Sequence, residues 1–188
     1  MSDQVQPQPL EPVPSVERVS LFTPADLNDL CDATDAAIEN GGGFGWLHLP
    51  SRETLERYWQ GVVTMPSRVL LVARLDGVIC GTCQLVKPPV NNEAQAHSIQ
   101  LTTNFVTPWA RGHGLATLLL SEAEQAAKDE GAKVINLDVR ETLQSAMKLY
   151  ESRGFQRIGT HPCYAIVEDE VIKGHYYCKV LTQYLTYL

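Results

Sequence analysis

The stretch VTPWARGHGLATLLLSEAE, Val106 to Glu124, constrains this chain more than any other. Ahead of it, His97 to Val106 is rich in threonine and β-branched residues and reads as a strand ended by Pro108. Behind it, Leu115, Leu118, Leu119, Ala123, Ala126 and Ala127 recur at three-and-four spacing and predict a helix over Leu115 to Asp129. Arg111, Gly112, His113 and Gly114 therefore join a strand to a helix N-terminus. Such an end exposes free backbone N–H groups and the positive pole of the helix dipole. Glycines let an anion approach that backbone, and Arg111 adds a cation. One reading is a cradle for a phosphate. The other is a tight turn that needs glycine for its backbone alone. No Lys-Ser or Lys-Thr follows Gly114, so a P-loop does not fit. Thr117 stands where a dinucleotide fingerprint needs its third glycine.

The rest of the chain supplies strands and helices in alternation. Ser15 to Phe22 reads as a strand. Thr23-Pro24 caps a helix running to about Glu39, and Asn40 to Trp46, with four glycines, breaks it. Ser51 opens a second helix, to about Val63. Arg68 to Arg74 and Val78 to Val86 are strands joined at Asp76-Gly77, a hairpin turn signal. After the Leu115 helix, closed at Gly131, come a strand over Lys133 to Val139, a helix over Glu141 to Arg153, and a strand over Phe155 to Gly159. A last hairpin pairs about Tyr164 to Val167 with His175 to Leu181. This order predicts an α/β fold: a mixed sheet of six to seven strands flanked by about four helices. Residues 1–15, with four prolines before Ser15, are expected to form a disordered tail ahead of a single domain over 16–188.

Composition narrows the function. The net charge of −7 disfavours a nucleic-acid partner and favours a cationic or amine-bearing substrate. The apolar run Val69 to Ala73 is far short of the ~20 residues that span a bilayer, so no membrane partner is expected. The N-terminus lacks the basic start and apolar core of a signal peptide, which points to the cytoplasm. Five cysteines, an odd number, argue against a disulfide framework there. Cys80 and Cys83 match C-x-x-C, but three residues apart on a strand they should face opposite ways, so neither a shared metal nor a redox pair is expected.

The junction resembles motif A of the GNAT-type N-acetyltransferases: Val106, Pro108, Arg111, Gly112, Gly114 and Ala116 stand at its positions. Leu149-Tyr150 and Gly154-Phe155 resemble that family's second motif. The resemblance covers about Val16 to the C-terminus. It implies a splayed sheet that takes acetyl-CoA, with Phe105, Val106, Arg111, Gly112, His113, Gly114, Leu115 and Ala116 on the coenzyme. His113 is expected to offer only its backbone N–H. A finer resemblance, carried by Gly41 to Trp46, His161 to Ala165 and Tyr176 to Leu181, is to tabtoxin-resistance acetyltransferases, which acetylate the amine of a small amino-acid-like toxin.

Acetyl transfer to an amine needs a way to remove the ammonium proton, donors for developing charge on the carbonyl oxygen, and a proton for the departing thiolate. By resemblance Tyr150 supplies the last. The same tyrosine lies on an apolar stripe with Leu143, Ala146 and Met147, so packing is its other reading. The oxyanion donor is expected from backbone near Asn104 to Val106. Asp138 is the first candidate base, as a carboxylate at a strand end, or else a partner for Arg140. His97 and Glu93 are weaker candidates. Phe44, Trp46, His48, Gln100 and Tyr164 are expected around the substrate. Leu143 stands where relatives often carry an asparagine. The reading is an acetyl-CoA-dependent N-acetyltransferase of a small primary amine, by direct attack in a ternary complex, with a homodimer through exposed hairpin edges. A non-catalytic acyl-CoA-binding protein is the alternative. A thiol acetyl carrier at Cys83 or Cys163 lacks a placed histidine partner.

Overall fold

A computed structural model describes residues 11–41 and 45–182. The elements are β1 (Pro14–Val19), α1 (Pro24–Glu39), α2 (Arg52–Thr64), β2 (Arg68–Leu75), β3 (Val78–Val86), β4 (Ser98–Val106), α3 (Leu115–Asp129), β5 (Val134–Arg140), α4 (Gln144–Ser152), β6 (Gln156–Val167) and β7 (Glu170–Val180). The strands form one seven-stranded sheet in the order β1-β2-β3-β4-β5-β7-β6. Every pairing is antiparallel except β4 with β5. The expected mixed sheet with four helices is what forms.

Local chemistry sets the helix starts. Thr23 Oγ1 accepts from the Asp26 N–H while Asp26 reaches back to the Thr23 N–H, a reciprocal capping box with Pro24 in the first turn. Ser51 caps α2 by accepting from Thr54 N–H. The sheet buries a core on each face. Leu30, Cys31, Leu55 and Trp59 of α1 and α2 pack on Leu70, Val72, Ile79 and Phe105. Leu115, Leu119, Leu120 and Ala123 of α3, with Met147 and Tyr150 of α4, pack on Leu71, Leu85, Ile99, Leu101, Ile135 and Leu137.

Several expectations give way. β1 begins at Pro14, inside the span read as tail, and residues 1–10 of that tail lie outside the described residues. α4 starts at Gln144, three residues later than expected, because residues 140–143 form a turn in which the Leu143 N–H donates to the Arg140 carbonyl. The break expected between the strands ending at Gly159 and starting at about Tyr164 is absent: β6 is one twelve-residue strand, with register shifts between Arg157 and Gly159 and between His161 and Ala165. Cys80 and Cys83 share one core layer rather than facing apart. The reason is a bulge. Ala73 pairs with Gly81 and Arg74 with Ile79, so Cys80 is an extra residue that shifts the alternation. Both thiols are free, and burial pushes them up to about 11 and about 12, so they stay protonated. Among the described residues no group of three or more His, Cys, Asp or Glu could hold a metal ion, and no helix is long and apolar enough to cross a membrane.

Candidate active site

The site begins where two strands part. β4 and β5 pair only at Ser98 with Val134, Ile99 with Ile135 and Gln100 with Asn136. Beyond that fork β4 continues to Val106 and β5 to Arg140 unpaired with each other. A cavity of about 530 Å³ fills the wedge, lined by Leu101 to Asn104 of β4 and by Asp138 and Val139 of β5. Leu143, Ala146 and Tyr150 bound it on the α4 side; Trp46, Tyr58 and Arg68 bound it on the α2 side. It therefore passes through the sheet from one face to the other.

One strained residue aims the β4 side chains. Thr103 has φ +51, a left-handed conformation rare for a β-branched residue. Thr82 pairs with Phe105 and Gln84 with Thr102, so β4 carries an extra residue at this point. Ile99 and Leu101 belong to the α3/α4 core, and strict alternation would send Phe105 with them. The bulge sends Phe105 to the α1/α2 core instead and frees Asn104 to face α4. Asn104 Nδ2 donates to Tyr150 Oη at 3.1 Å. This uses an acceptor pair of the phenol and leaves its O–H free to donate into the cavity. Tyr150 is buried, its ring edge-on to Phe155 at 5.8 Å, and burial pushes the phenol up to about 12. It is a proton donor at neutral pH. Tyr150 thus belongs to the core and also lines the cavity, so packing does not exclude the functional reading.

On the opposite side stands Asp138. Its Oδ1 accepts from Gln100 Nε2 at 2.8 Å across the fork, and its Oδ2 accepts from Tyr164 Oη. Its hydrogen-bond partners are therefore neutral; among the described residues the ion pair with Arg140, its alternative reading, does not form. Tyr164 reaches Asp138 from β6 by crossing β7. His161 pairs with Gly174 and Ala165 with Ile172, so residues 162–164 bulge out of the ladder. The Tyr164 ring lies directly over Gly174, where a Cβ would come 2.2 Å from Cγ. Only glycine leaves room for it. Burial and the facing carboxylate push the Tyr164 phenol well above its ordinary value, so it too is held as a donor.

The glycine junction closes the far end of β4. Gly112 and Gly114 adopt φ +87 and +75, which only glycine takes at little cost. α3 starts at Gly114 with no side-chain cap, unlike α1 and α2. Arg111 to Gly114 are exposed, and Arg111, Gly112 and Gly114 line, with Val106, Ala110, Leu115, Ala116 and Thr117, a hollow of about 200 Å³. Uncapped N–H groups, open space above the glycines and a nearby guanidinium fit a pyrophosphate. His113 Nδ1 sits 3.2 Å from the Ala110 carbonyl, so its ring N–H donates there, and the residue does not line the hollow.

Of the residues expected on the coenzyme, Phe105 and Leu115 have their side chains in the cores, and Leu115 also lines the hollow. Glu93 and His97 are exposed at the opposite end of β4 and do not line the cavity, which removes them as bases. Trp46 lines the cavity, edge-on to Tyr58 at 4.9 Å; His48 does not, and Phe44 lies outside the described residues. Gln100 positions Asp138 rather than lining the cavity. Sequence reasoning missed Tyr58, Arg68, Asn104 as a side chain, and Gly174. The only signal for Arg68 was a cation opening a strand whose next five residues are apolar.

The model of the acetyltransferase (GNAT) family matches residues 31–155. An uncharacterized N-acetyltransferase from the hisH-hisA intergenic region of Azospirillum brasilense is 59% identical over 128 residues, 68% of this chain and 76% of its own length. An N-acetyltransferase structure from Staphylococcus aureus Mu50 superposes with TM-score 0.77 at 18% identity, covering 90% of this chain and 99% of the other. The structure of yncA from Salmonella typhimurium, solved with its cofactor acetyl-CoA, gives TM-score 0.75 at 15% identity, over 91% and 95% of the two chains. The chain belongs to the GNAT family of acetyltransferases.

Proposed function

We propose that the protein transfers an acetyl group from acetyl-CoA to the primary amine of a small molecule, by direct attack within a ternary complex. The observation that carries this reading is one cavity through the parted strands with the Tyr150 hydroxyl on one side and the Asp138 carboxylate on the other. Acetyl-CoA supplies the acetyl group as an activated thioester. Arg111 and the N–H groups from Gly112 to Ala116 would hold its pyrophosphate. Its pantetheine amides suit the fork, where facing strand edges lack partners in each other and an extended amide chain can act as an added strand.

Asp138 orients the ammonium and accepts its proton, while Gln100 and Tyr164 hold the carboxylate in place. Tyr150 gives its proton or a hydrogen bond to the departing thiolate, with Asn104 fixing the phenol. Leu143 places an apolar side chain on the cavity wall, which excludes water from the reacting groups. The resemblance to tabtoxin-resistance enzymes supports a small acceptor and goes no further.

The test is calorimetric titration with acetyl-CoA, followed by a thiol-release screen of primary amines. One site per chain, lost in Gly114→Pro, and turnover of a small amine are expected. Saturable binding with no turnover of any amine would replace this reading with the non-catalytic acyl-CoA-binding one.

A further inference from the structure

Among the described residues, two charged side chains line the cavity, and they have opposite signs: Arg68 and Asp138. Asp138 matches the ammonium of an amine. Arg68 has no such role in acetyl transfer, yet it is held in a built setting. Its Nη1 donates to Gln84 Oε1 at 2.6 Å. Gln84 is fully buried, and its Nε2 donates in turn to Tyr58 Oη at 2.9 Å. A buried amide clamped at both ends thus fixes the direction of the guanidinium. No carboxylate lies within 4.0 Å of an Arg68 nitrogen among the described residues. Gln84 takes one of five N–H donors, and the fork that remains fits a planar carboxylate.

Position excludes the coenzyme pyrophosphate as the anion in question. Arg68 pairs with Val86, and Val86 with Gln100, so Arg68 shares a row of the sheet with Gln100. The glycine junction follows Val106, six residues along β4, about 20 Å away at ~3.3 Å per residue. Across the sheet, β2 and β5 are three strand spacings apart, about 14 Å at ~4.8 Å each. The long Arg68 side chain covers part of that span, both charged groups line the one cavity, and a small molecule with two charged ends bridges the remainder.

We propose that the acceptor amine also carries a carboxylate-like anionic group, gripped by Arg68 through the Tyr58–Gln84 relay while Asp138 takes the ammonium. This rests on the acetyl-transfer reading and names its substrate class: a small amino acid or a related zwitterion, rather than a simple amine or polyamine.

The experiment measures thiol release from acetyl-CoA with paired acceptors: α-, β-, γ- and ω-amino carboxylates, each beside its decarboxylated amine. The intact protein is expected to prefer the carboxylated member of its best pair by roughly tenfold to a hundredfold in kcat/KM, the range of a charge-assisted hydrogen bond. In Arg68→Gln that preference collapses towards unity, chiefly through KM. Arg68→Lys, a point charge without the fork, retains part of it. Calorimetric binding of acetyl-CoA checks that both variants are folded. Equal turnover of both members, or a preference that survives Arg68→Gln, overturns the inference and leaves the acetyl-transfer reading standing. No turnover of either member by a protein that binds acetyl-CoA sinks both.

Discussion

Gly174→Ala tests whether the Tyr164 bridge is built as described. Gly174 lies on β7 between Arg140 of β5 and His161 of β6. Its φ is not positive, so alanine can adopt the backbone, and a Gly→Ala change at a compatible site commonly stabilises by about 0.4–1 kcal/mol. Here the new Cβ would stand 2.2, 2.5 and 2.6 Å from Cγ, Cδ2 and Cδ1 of Tyr164. Carbon atoms pack best at about 3.5–4 Å, so the ring must withdraw by more than about 1 Å. It is tied at one end by the β6 bulge and at the other by its bond to Asp138, so withdrawal breaks that bond. Overpacking costs about 1–3 kcal/mol, and a hydrogen bond to a charged group about 1.5–3 kcal/mol before solvent screening. We expect a net loss near 2 kcal/mol in urea unfolding and about a tenfold drop in kcat/KM for the amine, with acetyl-CoA affinity intact. The decisive assay repeats the substitution in a Tyr164→Ala background, where alanine at 174 should be neutral or stabilising. An equal penalty in both backgrounds would refute the ring contact as its cause.

Two further outcomes follow from the same geometry. Asp138→Asn keeps the shape of the site but loses the one carboxylate that lines it among the described residues; kcat/KM for the amine should fall about a hundredfold while the calorimetric Kd for acetyl-CoA stays within twofold. Burial raises the Cys31, Cys80 and Cys83 thiols to about 11, 11 and 12, above the ordinary value near 9. Each raised acid contributes stability that is fully present below pH 9 and is lost as pH climbs through its folded value, at up to about 1.4 kcal/mol per pH unit per thiol. Urea midpoints should therefore be flat from pH 7 to 8.5 and drop between pH 9.5 and 11, and Cys83→Ala should make that drop shallower.

What was legible in the sequence was what neighbouring residues encode. Thr23, Pro24 and Asp26 lie within four positions and specify the start of α1 by themselves. Asp76-Gly77 takes positive φ at both residues, as its turn requires. The Arg111–Gly114 junction was readable because a strand, two glycines and a helix stand in contiguous order. Asp138, Trp46, Tyr150 and Tyr164, each singled out from the sequence, line one cavity. The bulge at Cys80 had a partial local signal in Gly81, a lone glycine inside β3, whereas the one at Thr103 had none, since it arises from pairing with a strand elsewhere in the chain. The same holds for the Tyr164–Gly174 contact and for the Tyr58–Gln84–Arg68 relay, whose members stand 26 and 16 residues apart. Long-range side-chain choice decided them, and it also decided which core received Phe105.

The central claim is that the cavity between β4 and β5 performs acetyl transfer with Tyr150 as its proton donor. Tyr150→Phe tests it most directly, because the ring keeps its packing on Phe155 and Tyr177 and only the hydroxyl is lost. The account predicts that kcat, at saturating acetyl-CoA and amine, falls about a hundredfold while acetyl-CoA still binds with its original affinity. Near-normal kcat in that variant would contradict it, and would leave Tyr150 a residue of the core alone.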